Sequence, residues 1–201
     1  KMYAEVFLPI HHSLMSVGNP ISSITQVYSN PQVFGQCRLW LESNLRKAQL
    51  IDTASTSEAA QIVANNTNRE GIACLASGMA ASVYGLKVLA SSIEDNPSNT
   101  TRFIVISRNE SKPSRKDKSS IVFEIKDKAG ALYDILKPFK EAKVSLTKIE
   151  SRPSKKKVWS YFFFVDFEGH HDEPRIQKTL KNLERHCTFF KVLGSYPKAD
   201  S

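Results

Sequence analysis

The sequence predicts two units in series: an α/β unit, then an α+β unit with the ferredoxin-like split order βαββαβ. Three observations predict it. Composition shifts at Asn109–Lys118 (NESKPSRKDK), a Pro/Ser/Lys stretch without hydrophobic periodicity. Before that stretch, short apolar runs alternate with helical stripes. After it, strand-like and helix-like periods succeed one another in the order of a split βαβ motif. The expected boundaries are 1–108 for the first unit, 109–118 for a linker and 119–197 for the second.

In the first unit, Glu5–Ile10 reads as a strand. Pro31–Leu45 reads as a helix, because Phe34, Cys37, Leu41 and Leu45 fall near helical spacing on one face. Pro31 suits the first turn, with Ser29 or Asn30 before it as a cap. Ser57–Asn65 reads as a second helix behind the capping box Ser55-Thr56-Ser57-Glu58. Gly71–Leu75 reads as a buried strand and Gly78–Tyr84 as a helix, with Gly85 at the C-terminal position that favours a left-handed residue. Lys87–Ala90 and Phe103–Ser107 read as strands.

In the second unit, Ile121, Phe123 and Ile125 alternate as in a strand. Leu132, Ile135, Leu136 and Phe139 repeat at i, i+3, i+4, i+7, as in an amphipathic helix. Ser145–Glu150 alternates again, and Trp159, Tyr161, Phe163, Val165 and Phe167 form a long period-two run. Ile176, Leu180 and Leu183 make one helical stripe, and Thr188–Leu193 closes with a strand. Phe162 and Phe164 make the long strand apolar on its second face as well. A sheet with helices on one side leaves that face bare, so a partner subunit is expected to cover it.

The net charge of +8 raises nucleic-acid binding, but its location argues against it. Much of the excess lies in Lys112–Lys118 and in Lys155-Lys156-Lys157, a linker and a hairpin tip without interleaved aromatics. No apolar run is long enough to cross a bilayer, and the first residues lack a secretion signal. Cys37, Cys74 and Cys187 are odd in number, far apart and without metal-ligand spacing. They read as reduced thiols of a cytoplasmic or stroma-like compartment. His11-His12 would point to opposite faces of a strand, and His170-His171 lacks acidic or cysteine ligands at useful spacing. No metal and no cofactor is expected.

Three constellations could carry chemistry. In Asn99-Thr100-Thr101-Arg102-Phe103, Arg102 could clamp a carboxylate, Thr101 could donate to a leaving oxygen and Phe103 could pack on a ring. From residues alone, a strand edge with a solvated arginine is the plainer reading. The helix starts at Ser29-Asn30-Pro31-Gln32 and Ser55-Thr56-Ser57 offer N–H groups to an anion, with ordinary capping as the commoner alternative. Gly130-Ala131-Leu132 and Glu150-Ser151-Arg152-Pro153 could match the backbone, ammonium and carboxylate of an amino acid, or could be a turn and surface charges.

These motifs together resemble one family. Leu8-Pro9-Ile10-His11-His12-Ser13-Leu14 is similar to the LPIHHSL strand of prephenate dehydratases. Ser29-Asn30-Pro31-Gln32, with Gln36-Cys37-Arg38 and Trp40-Leu41, resembles their SHPQ…QCR.WL helix, with Asn30 in place of the usual His. Glu94-Asp95-Asn96 and Asn99–Phe103 resemble the IEDN..NTTRF signature. Gly130-Ala131-Leu132 and Glu150–Pro153 resemble the GAL and ESRP motifs of the attached ACT domain, with Ala129 in place of the usual Pro.

The resemblance implies part of a two-lobed, periplasmic-binding-protein-like dehydratase domain followed by an ACT regulatory domain. It implies conversion of prephenate to phenylpyruvate with loss of carbon dioxide and the ring hydroxyl. On this reading Thr101 assists the leaving hydroxyl, Arg102 holds a carboxylate and keeps Thr101 in place, and Phe103 lines the ring pocket. Ser29, Gln32, Thr56, Ser57 and Asn99 contact the substrate. L-Phenylalanine is the implied allosteric effector, bound by Ala129, Gly130, Ala131, Leu132, Glu150, Ser151, Arg152 and Pro153 at the interface of a homodimer or homotetramer. Arogenate dehydratase and a non-catalytic amino-acid sensor are the alternatives. The family's first lobe lies upstream of the matched motifs, so this chain alone is expected to turn over poorly.

Overall fold

The computed structural model describes residues 1–66, 70–154 and 160–199. The expected hairpin tip Lys155-Lys156-Lys157 and Trp159 lie outside them. Two compact units emerge: residues 8–101, and residues 1–7 together with the chain from 102 onward. This division by packing falls at Thr101/Arg102, earlier than the change of composition at Asn109–Lys118.

Residues 8–101 build a five-stranded sheet of short strands. They are β2 (Ser13–Ser16), β3 (Gln26–Ser29), β4 (Gln49–Asp52), β5 (Ile72–Ala76) and β6 (Lys87–Ala90), in the order β4-β3-β5-β2-β6. β3 runs parallel to β4 and β5, while β2 is antiparallel to β5 and β6. Every residue of β2 and β5 is buried. Both sheet faces are covered, which removes the alternation that would mark these strands in sequence. Leu14, Val27 and Leu75 pack on one side with Phe34 and Leu41; Met15 and Cys74 pack on the other with Ala59, Val63 and Leu86.

The helices are α1 (Pro31–Gln36), α2 (Arg38–Asn44), α3 (Thr56–Asn65) and α4 (Gly78–Tyr84). The expected single helix over 31–45 is two, because Cys37 leaves helical geometry at φ −116°, ψ 19°. α4 matches its expected span, and Gly85 closes it at φ 67°.

The second unit is a four-stranded antiparallel sheet in the order β11-β8-β10-β9. Its elements are β8 (Asp117–Ile125), α5 (Ala131–Glu141), β9 (Leu146–Pro153), β10 (Tyr161–Glu168), α6 (Pro174–Glu184) and β11 (Cys187–Pro197). This is the expected βαββαβ order. Ile121, Phe123, Val165 and Phe167 face Ile135 and Phe139 of α5 and Ile176, Leu180 and Leu183 of α6. The Phe139 and Phe167 rings meet at 5.2 Å, tilted by 52°. Such a pair adds about 0.5–1.5 kcal/mol beyond its burial.

The opposite sheet face is set by register. Phe162, Phe164 and Asp166 of β10 lie across from Arg152, Glu150 and Lys148 of β9, and from Glu124, Val122 and Ser120 of β8. Same-chain residues supply part of the cover expected from a partner. β1 (Met2–Pro9) and β7 (Thr100–Ile106) pair as a two-stranded ribbon. Met2, Arg102 and Ile104 of this ribbon line one cavity with Phe164 and Asp166. Gly194 of β11 permits the approach, since a Cβ there would collide with the Met2 backbone.

Candidate active site

The parallel strands fix where the first candidate site forms. The chain leaves β3 toward β4 and leaves β5 on the other side, so β3 and β5 flank a topological switch point. Ligands of open α/β sheets bind outside the carboxyl ends of strands at such a point. The starts of α1, α3 and α4 gather at those ends, following β3, β4 and β5.

Local hydrogen bonds tie two of these starts together. Thr53 N–H donates to Ser29 O at 2.8 Å, and Asn30 Nδ2 donates to Ala54 O at 3.2 Å. Asn30 is the N-cap of α1 and accepts from Gln32 N–H at 3.0 Å. Ser55 caps α3 by accepting from Glu58 N–H at 3.1 Å, and the Glu58 carboxylate accepts from Ala54 N–H at 2.8 Å. The capping box is therefore real, with Glu58 reaching one residue further back than the standard form. Its carboxylate uses some of the anion-attracting capacity of that turn.

These bonds sort the expected substrate contacts. Ser29 is fully buried and its hydroxyl donates to Leu75 O at 2.8 Å. Its hydroxyl, one of the groups expected to meet substrate, locks β3 to β5. The Gln32 N–H is used by Asn30, leaving the exposed Gln32 side chain. Among the described residues, Thr56 and Ser57 have no hydrogen-bond partner for their hydroxyls. Asn99 is half-buried, and its carbonyl accepts from Ile10 N–H at 2.8 Å. Ile10 lies three residues before Ser13, which pairs with Ala76 at the carboxyl end of β5. The Asn99 backbone thus joins the segment that enters β2 beside the carboxyl end of β5.

Strand alternation decides what 101–103 can do. Thr101 and Phe103 are exposed on one face of β7, whereas Arg102 turns to the other. Arg102 Nε donates to Glu5 at 2.8 Å, and its two terminal nitrogens donate to Asp166 and to the Tyr196 hydroxyl. Burial opposes its charge, but hydrogen bonding to Asp166 and the surrounding acids outweigh this and push its pKa up. The guanidinium expected to hold a substrate carboxylate has Glu5, Asp166 and Tyr196 as its partners in this structure.

His11, His12 and Glu94 form an arrangement that sequence reading missed. They lie in a loop, not on a strand. Glu94 accepts from the His12 backbone N–H at 2.9 Å and meets His11 Nδ1 at 2.7 Å; His12 Nε2 meets Gln36 at 2.7 Å. Burial pushes the Glu94 pKa up, but the bonds from His11 and His12 outweigh it and hold the carboxyl below its ordinary value. Glu94 stands among the polar residues Ser91, Ser92, Asp95 and Asn96, 83 residues from His11, so nothing local marked it.

The thiols behave as expected. Cys37 and Cys74 are buried, which pushes both to about 12, and Cys187 is pushed to about 11. The reading that His170-His171 lacks acidic neighbours is corrected by Asp172, 3.4 Å from a nitrogen of each. Asp172 N–H donates to His170 Nδ1 at 3.2 Å, so one nitrogen that a metal would need already accepts a hydrogen bond.

In the second unit, Gly130 begins α5 at φ 80°, a conformation that disfavours other residues. Ala131 and Leu132 line a cavity with Tyr161 and Phe163, while Glu150 and Arg152 line a different one. Glu150 is paired with Lys148 at 2.8 Å and with Arg152. The bond from Lys148 and then the charge of Arg152 hold its pKa down. Ala129, Ser151 and Pro153 are exposed.

Comparison with known proteins agrees with both halves. A family model for prephenate dehydratase matches residues 1–111, and one for the ACT domain matches residues 119–185. The bifunctional chorismate mutase/prephenate dehydratase of Aquifex aeolicus is 47% identical over 199 residues, covering 99% of this chain and 54% of that protein. The prephenate dehydratase of Methanocaldococcus jannaschii is 42% identical over 203 residues, covering all of this chain and 72% of that protein. The crystal structure of prephenate dehydratase in complex with L-Phe from Arthrobacter aurescens superimposes with a TM-score of 0.89 at 32% identity. That match covers 100% of this chain and 67% of that one. The chain spans about half the length of the first of these relatives. With a dehydratase match across its first half, an ACT match across its second and close relatives over its whole length, this chain belongs to the prephenate dehydratase family.

Proposed function

We propose that the protein catalyses the decarboxylating dehydration of prephenate to phenylpyruvate in the cytoplasm, under feedback by L-phenylalanine through its ACT unit. The observation that carries this reading is the family match over 1–111, with Thr101 presented on the open face of β7. When the ring carboxylate leaves as carbon dioxide, the electron pair of its C–C bond enters the ring. The ring becomes aromatic and expels the hydroxyl at the opposite carbon. Thr101 Oγ–H hydrogen-bonds or protonates that hydroxyl as it leaves, and solvent restores any proton that Thr101 gives up. Aromatisation drives the step, so positioning of the dianion does most of the work. Thr56 and Ser57 at the start of α3, with Gln32 and Asn99, supply donors for the carboxylates.

The effector reading rests on Gly130–Leu132 and Glu150–Pro153. Ala131 and Leu132 line one cavity and Glu150 and Arg152 another, which supports an effector site shared between two copies of the chain. Prephenate turnover by the full-length protein, followed as phenylpyruvate formation with and without L-phenylalanine, tests the proposal. The expected result is activity on prephenate that falls as L-phenylalanine is added. No phenylpyruvate from prephenate, with turnover of arogenate instead, would reassign the substrate.

A further inference from the structure

Separate stretches of the second unit bring basic residues to one cavity of about 550 Å³. Arg115 and Lys116 lead into β8, and Lys143 follows α5. Arg175 sits in the first turn of α6, and Lys198 follows β11. Three carboxylates line the cavity too, and each is engaged. Asp117 is buried and accepts from the Ser114 N–H at 2.8 Å and the Ser114 hydroxyl at 2.7 Å. Glu168 pairs with Lys198 at 2.8 Å. Glu173 accepts from the His170 N–H at 2.8 Å and lies 3.8 Å from Arg175, whose Nη1 donates to the Ala142 and Lys143 carbonyls. Among the described residues, the side chains of Arg115, Lys116 and Lys143 pair with no acid and donate to no acceptor. Three positive charges thus face one cavity without a counter-charge of their own.

The backbone at two of these residues disfavours any side chain. Arg115 has φ 72° and Lys143 φ 53°, two of the three described non-glycine residues with positive φ. Lys143 ends α5, and the next N–H, that of Val144, reaches back to Phe139 O at 2.9 Å. That is the long bond of a helix stop in which glycine is the common choice where Lys143 stands. Glycine would meet the backbone need at both positions with less strain, so the backbone does not account for the basic side chains.

The lining narrows the ligand. Among the described residues it holds no aromatic ring, and Val144 is its one apolar side chain. An aromatic amino acid or a nucleobase therefore finds no platform. None of the residues proposed to bind L-phenylalanine lines it. The three free cations come from two segments and approach from different directions. A tetrahedral phosphate presents acceptors in several directions and also accepts the fork of an arginine. The volume falls within the range of small-molecule sites, about 300–1,000 Å³.

We propose that Arg115, Lys116 and Lys143 form a second small-molecule site in the ACT unit, which binds a compact anion of the diphosphate class, without a ring. Arg115 holds one phosphate by its fork, and Lys116 and Lys143 supply point charges to the rest. The site does not depend on the reading of the reaction or of the L-phenylalanine motifs.

Calorimetry of the full-length protein with inorganic diphosphate, at fixed ionic strength and without divalent metal, tests this. Saturable binding of one diphosphate per chain is expected. Arg115→Gly and Lys143→Gly are each expected to weaken it about 10- to 100-fold, as when charge-assisted hydrogen bonds are lost. Both variants are expected to keep the wild-type melting temperature or raise it, because glycine fits these backbone angles. Loss of binding is then not loss of fold. Lys137→Gln removes an exposed cation of α5 that lies outside the cavity lining. It is expected to bind within about twofold of wild type, since exposed charges at a distance are screened. Absence of saturable binding, or equal weakening in Lys137→Gln, would overturn the proposal. Unchanged binding in both glycine variants would overturn it too, by placing the diphosphate elsewhere. Citrate is expected to bind more weakly, and equal or tighter citrate binding would overturn the assignment to phosphate. Should a glycine variant not fold, Lys116→Gln carries the test with the same expected loss, and unchanged binding there would overturn the proposal.

Discussion

At the scale of single residues, the two sides of β7 meet different surroundings. Thr101 and Phe103 face outward, and Arg102 is spent on Glu5, Asp166 and Tyr196. The motif was legible as a motif, but its division was not, because the partners of Arg102 lie 64 to 97 residues away. A signal was present: Glu5 and Asp166 each interrupt an apolar strand, and charge in such a place needs a partner. Glu94 offers an independent test of the same logic. Its carboxyl is held below the ordinary value, so its ionised form adds stability above the unfolded carboxyl's pKa of about 4.3. That stability is lost as pH falls through the lower folded-state value. Glu94→Gln is therefore expected to cost about 1.5–3 kcal/mol near pH 6, where charged hydrogen bonds are lost. The gap in melting temperature from wild type should close below pH 4. A gap that stays constant with pH would show that Glu94 is not ionised in the fold.

At the scale of elements, legibility followed solvent exposure. The βαββαβ unit was readable because α5 and α6 each bury one stripe and its strands mostly bury one face. β2, β3 and β4 were missed because they are four residues long, with β2 buried throughout, β3 burying Ser29 where an apolar residue would mark the pattern, and β4 mostly exposed. Ser29 looked like a free helix cap because β3 was not seen; it is the last residue of that strand and bonds across to Leu75. The ribbon of β1 and β7 was the other surprise. Its seating depends on Gly194, where a side chain would strike the Met2 backbone. Gly194→Ala is expected to lift this part of the ribbon. Hydrogen exchange should then speed up in residues 2–7 and 102–106 while α5 and α6 keep their protection. Uniform loss of protection across the unit would mean that Gly194 serves the whole sheet instead.

At the scale of the whole molecule, β7 passes from one compact unit to the other between Thr101 and Arg102. The hydroxyl proposed to react and the guanidinium bound to Glu5 and Asp166 thus belong to adjacent residues that fall in different units. The two motifs proposed to bind L-phenylalanine line separate cavities in one chain, so the proposal predicts that L-phenylalanine promotes pairing of two chains. Gly130→Val, which forces a β-branched residue to φ 80°, should abolish that binding in calorimetry; full-strength binding by the variant would remove the backbone of Gly130 from the effector site. The central claim is that the Thr101 hydroxyl assists departure of the ring hydroxyl. Its most direct measurement is prephenate turnover by the full-length protein carrying Thr101→Ala or Thr101→Ser. The account expects kcat to drop about 10²- to 10⁴-fold for Ala and to recover largely for Ser. Wild-type kcat in Thr101→Ala would contradict it.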